Sequence, residues 1–235
     1  MKEGISVVIP SYMEAENLNF ILPNLIKTLK ELNVSYQIVV VDSIIELDNT
    51  RTVCKNFGID CIKRENGDYY GDAVRTGIKY AEFDIIVVMD ADGSHDPKYI
   101  KDLFEKYRSG VECGIVIASR YVKFAQSDHS FCLATMSFIV NVVFRCLFHI
   151  EAKDISISYR MYDAAKLKSL SLACMNFDIL EEILIVFSMK YPNSKIIEIP
   201  SHFKNRNSGR SKRKLVAFII SYMKTIFRLY IKKGV

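Results

Sequence analysis

Asp90-Ala91-Asp92 places two carboxylates one residue apart, directly after the apolar run Ile85-Ile-Val-Val-Met89. Side chains alternate along a strand, so two acids at this spacing leave a strand end on the same side. Such a pair suits a hard divalent cation. Mg2+ or Mn2+ is usually held by one or two carboxylates, with water and substrate phosphates completing the shell. The competing explanation is a strand-end turn capped by its own aspartates. An isolated Asp-x-Asp does not separate the two, so the weight falls on what surrounds it.

The elements that must position this pair follow from the hydrophobic pattern. Continuous β-branched runs predict strands over residues 5–10, 36–42, 60–63, 84–90 and 114–119. Helical periodicity predicts helices over 16–32, 49–57, 72–81 and 97–108. Strands that are apolar throughout, separated by helices, imply a mainly parallel sheet covered on both faces. Ligands bind such sheets beyond the carboxyl ends of the strands. Asp42, Asp90, Asp92 and the Pro10–Glu14 loop all fall at such ends. Farther along, 131–150 and 215–231 read as amphipathic helices, 156–162 and 194–199 as strands, and 205–214 as a basic loop. The polar stripe Ser137, Asn141, Arg145 and His149 recurs at i, i+4 spacing and is expected to be a solvated helix face. Crossing a bilayer takes about 20 largely uninterrupted apolar residues, and neither helix reads as a span.

Length and composition fit one domain with a core that needs no staples. Six scattered cysteines (54, 61, 113, 132, 146, 174) form no ligand motif and read as reduced core thiols of a cytoplasmic protein. Net charge is +5, unevenly placed: from His202 onward six Lys and four Arg meet no acid, so this stretch carries +10 and the preceding residues −5. A basic tail on an acidic body points to a polyanionic partner, whether nucleic acid, anionic lipid or phosphate groups. The last helix, basic with aromatic flanks, suits the surface of an anionic membrane.

Five motifs now stand in order: Ile9-Pro10-Ser-Tyr12-Met-Glu14-Ala-Glu16-Asn17-Leu18; Val-Val-Val41-Asp42; Met89-Asp90-Ala91-Asp92-Gly93; Ala118-Ser119-Arg120-Tyr121; and Arg206-x-x-Gly209-x-Ser211-Lys212. Together they resemble the inverting family-2 glycosyltransferases of the GT-A fold, a nucleotide-diphospho-sugar transferase fold, and within them the dolichol-phosphate mannose synthase branch and its bacterial relatives. The resemblance implies a single glycosyltransferase domain over 1–235. Residues 1–120 would be its nucleotide-sugar half, 121–212 its acceptor side and 213–235 a C-terminal amphipathic helix.

By the same resemblance, Pro10, Tyr12 and Glu14 line the nucleotide pocket, with Val41, Asp42 and Ser43 beside the base. Asp90, Ala91 and Asp92 bind the nucleotide-sugar, and Asp90 and Asp92 hold its Mg2+ or Mn2+. Arg206 and Lys212 clamp the diphosphate. Arg120 reaches the phosphates of donor or acceptor, Ser137 belongs to the acceptor side, and Glu182 matches a helix glutamate of the family with a catalytic role. The sequence departs from the family in four places: Met13 replaces an Asn, Ser43 replaces an acid, Ser94 replaces a Gln metal ligand, and Leu133 and Ala134 occupy the region of an acceptor-phosphate Arg.

The implied reaction moves a hexose from GDP-mannose or a UDP-sugar to a polyprenyl phosphate, whose oxygen is already ionised. A sugar or lipid-linked hydroxyl acceptor in surface polysaccharide synthesis would instead need a carboxylate base, for which Asp178, Glu181 and Glu182 are candidates. A non-catalytic basic-tailed binding protein on the same fold is the remaining alternative. The expected partners are the donor, the acceptor and the cytoplasmic face of a membrane, without nucleic acid, and a homo-oligomer stays open.

Overall fold

The computed structural model of the protein describes residues 1–109, 112–128, 131–206 and 215–233. Its centre is a seven-stranded sheet. The first four strands in sequence, β1 (Lys2–Pro10), β2 (Tyr36–Asp42), β3 (Asp60–Lys63) and β4 (Phe83–Val88), pair in parallel in the order β3-β2-β1-β4. Next to β4 lies β7 (Arg160–Asp163), antiparallel to both its neighbours, then β5 (Cys113–Ser119) and β8 (Lys195–Pro200). The sheet is mainly parallel, as its apolar strands require. A second, two-stranded piece joins β6 (Gln126–Ser127) to β9 (His202–Phe203).

Ile5, Val7, Val8, Ile9, Val40, Val41, Ile86, Val87, Ile115, Val116 and Ile117 are all shut away from solvent. Burying each such side chain contributes roughly 1.5–3 kcal/mol. The helices α1 (Ala15–Glu31), α2 (Thr50–Asn56), α3 (Tyr70–Tyr80), α4 (Tyr99–Ser109) and α6 (Ala164–Lys168) surround the sheet. α3 comes unusually close to β1, because a Cβ at Gly77 would collide with the Val8 side chain.

Of the strand expected over 156–162, residues 156–159 stay out of the ladder, and the backbone just ahead is engaged elsewhere. The amides of 153–156 are taken by side chains: Asn141 Oδ1 accepts from Ile155 and Ser156, and Glu198 accepts from Lys153 and Asp154. β7 therefore begins only at Arg160.

The other helices are α5 (Phe131–Phe148), α7 (Ile179–Lys190) and α8 (Leu215–Lys233). α5 and α8 both turn their polar side inward. Asn141 is buried, and Ser137 bonds to the protein interior, while Phe138, Ile139 and Val143 face out. The solvated stripe expected on α5 is thus reversed at Ser137 and Asn141, which have charged and amide partners beneath them, while Arg145 is half-buried and His149 is exposed. On α8, Ser221 and Thr225 donate to Asp178 and Arg228 pairs with Glu182, whereas Met223, Phe227, Tyr230 and Ile231 are exposed. No helix among the described residues is long and apolar enough to cross a membrane.

Candidate active site

The carboxyl ends of β1, β2 and β4 meet at one edge of the sheet, and the expected site residues gather there. β4 ends at Val88, so Asp90 and Asp92 lie in the bend that follows rather than in the strand. Gly93, at φ 84°, supplies a left-handed turn that only glycine adopts without strain. The Asp92 carboxylate folds back over the bend. Its Oδ1 accepts from the Ser94 amide at 3.0 Å and the Ser94 hydroxyl at 2.5 Å. Its Oδ2 accepts from Arg206 at 3.1 Å. Burial by itself would raise its pKa. The Ser94 bonds and the Arg206 charge outweigh burial, and the net shift is downward, so Asp92 is an anion at neutral pH.

Arg206 reaches across the mouth of the site. Its second carboxylate is Glu14, at 3.2 Å, and Asn17 holds the other Glu14 oxygen at 2.5 Å. The strand leading to Arg206 is pinned to the same bend, since the Lys204 amide donates to the Ser94 carbonyl and Lys204 Nζ pairs with Asp96 at 2.9 Å. Glu14, Asp92 and Arg206, distant in sequence, thus form one charge-assisted bridge. Lys212, with Gly209 and Ser211, lies outside the described residues.

Asp90 is held twice. Its amide donates to His95 Nδ1 at 3.0 Å, and its Oδ1 accepts from the Tyr70 hydroxyl at 2.8 Å. His95 is fully enclosed, stacked on Tyr159 and edge-on to Phe203. Burial holds its pKa below the usual value, so the ring is neutral and Nδ1 is free to accept.

Ala91 is buried between the two acids. Among the described residues no group of three or more His, Cys, Asp and Glu could enclose a metal. The donor set nonetheless fits a hard cation, because Asp90 and Asp92 offer only oxygen and Asp92 is ionised. The protein's share of such a shell would be these two carboxylates, with the remainder left to substrate phosphate and water.

At the neighbouring strand ends, Pro10 closes β1, and the Ser11 amide donates to the Val41 carbonyl at 2.8 Å. Asp42 is 1% exposed and lies 3.5 Å from Arg51. Burial, then the nearby Asp48, raise its pKa against the pull of the Ser43 amide and Arg51. The Ser43 hydroxyl turns away to the Ile45 carbonyl at 2.6 Å. Arg64, which sequence reasoning missed, follows β3 and is buried. It donates to the Ser11 carbonyl at 2.5 Å, with its guanidinium 5.4 Å from the centre of the Tyr12 ring.

Two other expected site residues hold internal partners. Arg120, assigned to phosphate contact, is locked internally: its Nε and Nη2 hold both Asp154 oxygens at 2.9 and 2.7 Å, and Nη2 also donates to Ser137 and Ser156. Burial opposes this charge, but Asp154 more than offsets it and the net pKa shift is upward. Ser137 is brought to Arg120, and it is bonded to Arg120 and Ser156 while Arg120 is bound to Asp154. Glu182, assigned a catalytic role, is 2% exposed; it accepts from the Ala173 and Cys174 amides and pairs with Arg228 at 2.8 Å. It organises a turn beneath α8 and has no contact with Asp90 or Asp92. Asp154, Ser156, Ser158 and Arg160 form a polar stripe at period two, and that stripe was the available signal for the Arg120 partner.

Glu181, the third candidate base, is fully buried, and its Oε1 accepts from the Tyr222 hydroxyl at 3.0 Å. Burial pushes its pKa up to about 8 from an ordinary 4.5. The folded protein therefore keeps a proton that the unfolded chain releases between these values. Stability should fall as pH rises from about 4.5 to 8, by about 1.4 kcal/mol per pH unit, and level off above. Denaturation of wild type and Glu181→Gln across this range is expected to show this slope in the difference between the two proteins.

A family model for glycosyl transferase family 2 matches residues 6–170. The chain is 33% identical over 232 residues to the dolichol-phosphate mannosyltransferase of Pyrococcus furiosus, covering 96% of this chain and 63% of that protein. It therefore spans a little less than two thirds of that relative's length. It is 26% identical over 223 residues to the undecaprenyl-phosphate mannosyltransferase of Micrococcus luteus, covering 88% and 86% of the two chains. The fold is that of glucosyl-3-phosphoglycerate synthase from Mycobacterium tuberculosis, solved with Mn2+, UDP and glucosyl-3-phosphoglycerate. The TM-score is 0.72 at 17% identity, with 99% of this chain and 81% of that one covered. With the family match covering well over half its length, this chain belongs to glycosyl transferase family 2.

Proposed function

We propose that the chain is a metal-dependent inverting glycosyltransferase that moves a hexose from GDP-mannose or a UDP-sugar to a polyprenyl phosphate. The work is done by one domain at the cytoplasmic face of a membrane. The observation that carries this reading is the Glu14–Arg206–Asp92 bridge beside Asp90, at the strand ends where such sheets bind nucleotides. The names of the Pyrococcus and Micrococcus relatives support the acceptor class.

The reaction is a single displacement. An acceptor phosphate oxygen attacks the anomeric carbon, the bond to the nucleoside diphosphate breaks on the opposite side, and the electron pair leaves with the diphosphate. The transition state resembles an oxocarbenium ion. Asp90 and Asp92 would hold a divalent cation, which would supply Lewis-acid stabilisation of the departing diphosphate. Arg206 brings a preorganised positive charge to the same place. A phosphate acceptor is already an anion, so no general base is required. This agrees with Glu182 and Glu181 being committed to structural partners.

The outward apolar faces of α5 and α8, with Lys224 beside Met223 and Phe227, support docking on an anionic lipid surface where a polyprenyl phosphate is met. The test is thermal stability with GDP-mannose, UDP-glucose and UDP-GlcNAc plus Mn2+, followed by transfer to a short polyprenyl phosphate and, in parallel, to saccharide acceptors. One donor should raise Tm, since ligand at 100 times its Kd adds about 2.7 kcal/mol. Stabilisation by none of them would refute the enzyme reading, and transfer only to saccharides would reassign the acceptor.

A further inference from the structure

Tyr70 lies outside every motif that carried the family resemblance, yet its hydroxyl donates to Asp90 Oδ1 at 2.8 Å. Its placement is fixed on several sides. The ring stacks on Phe177 with centroids 4.2 Å apart and planes 21° from parallel. The next residue, Gly71, donates its amide to the Met175 carbonyl at 2.7 Å, and a Cβ at Gly71 would run into the Cys174 carbonyl and the Met175 backbone. That 173–175 turn is itself held by Glu182, through the Ala173 and Cys174 amides, and by Arg75, which donates to the Cys174 carbonyl. The residue after Phe177, Asp178, accepts from Ser221 and Thr225 of α8. A side chain seated this firmly can hold a flexible carboxylate in one rotamer.

We infer that Tyr70 is a positioning residue for the donor site, holding the Asp90 carboxylate in the orientation in which it meets a divalent cation. The inference rests on the metal-dependent reading above. Hydrogen bonds to metal-binding carboxylates fix their orientation, and losing one typically costs 10–100-fold in metal affinity. Tyr70 does this from α3, whereas His95 steadies the same residue through its backbone.

The test compares wild type with Tyr70→Phe, which keeps the ring on Phe177 and removes only the hydroxyl. Mn2+ binding is measured by calorimetry at saturating nucleoside diphosphate, GDP and UDP in turn. Nucleotide binding in EDTA and Tm are recorded alongside. The expected result is Mn2+ affinity weakened by about 10–100-fold, with Tm and metal-free nucleotide affinity unchanged. Equal Mn2+ affinity in the two proteins would overturn the inference and leave the proposed function standing. A parallel fall in Tm and metal-free nucleotide affinity would assign Tyr70 to stability alone and overturn it as well. Absence of Mn2+ binding in wild type itself would overturn the metal reading, and this inference with it.

Discussion

Asp92→Ala is expected to reduce sugar transfer by about a thousandfold or more while the protein stays folded. Asp92 is the acid with the most to lose: ionised, bound to Ser94, and bridged through Arg206 to Glu14. Removing it takes away half of the carboxylate pair and one end of the Arg206 bridge together. Several kcal/mol of charge stabilisation at the departing diphosphate would go with it, and each 1.36 kcal/mol is tenfold in rate. The fold should tolerate the change, since Asp92 sits in a bend outside the sheet ladder and Arg206 keeps Glu14. Transfer of labelled sugar at saturating donor, with Tm measured in parallel, checks this. Turnover near that of wild type would remove Asp92 from the mechanism.

The largest stability effect is expected at Asp154. Its side chain is fully buried and is the carboxylate partner of Arg120, whose own side chain is only 6% exposed. A buried ion pair can be close to neutral in net stability, but stripping away one partner leaves an uncompensated charge and costs about 3–5 kcal/mol. For a chain of this size that corresponds to a Tm lower by roughly 6–20 °C. Asp154→Ala should show this loss, and Asp154→Ala with Arg120→Leu should recover much of it. If the double variant were no better than the single, the Asp154 contribution would lie in its bond to the Arg120 amide rather than in charge pairing.

The parallel strands were legible because each is a short β-branched run and burial on both faces leaves no alternation to confuse with a helix. Asp90, Asp92 and Arg206 were legible as motif residues, and Glu14 took its meaning from the same resemblance. Other features depend on partners that no local pattern specifies. Asp154 gains its role from an arginine 34 positions earlier, and Tyr70 from an aspartate 20 positions later.

The orientation of α5 and α8 illustrates the same limit. Periodicity reports that a helix has a polar and an apolar side, but which side meets the protein is decided by what waits there. Here Asp178 and Glu182 receive α8, and the Arg120 network receives α5, so the polar sides turn in. The strand boundary at Arg160 moved for a related reason. Asn141 and Glu198 claim the backbone donors of 153–156 that a ladder would otherwise use.

β7 sits between β4 and β5 and runs against both, yet it is translated after either of them. At about 5–20 residues per second, the ribosome finishes β4 at Val88 some 4–15 s before it finishes β7 at Asp163. Until β7 is made, β4, and β5 once it follows, lack the neighbour that covers the edge between them in the folded sheet. Open apolar edges of this kind attract other chains. The strand that enters the middle of the sheet thus joins its two halves and covers the β4 edge, from whose end the Asp90–Asp92 bend hangs, while the far edge of β5 waits for β8.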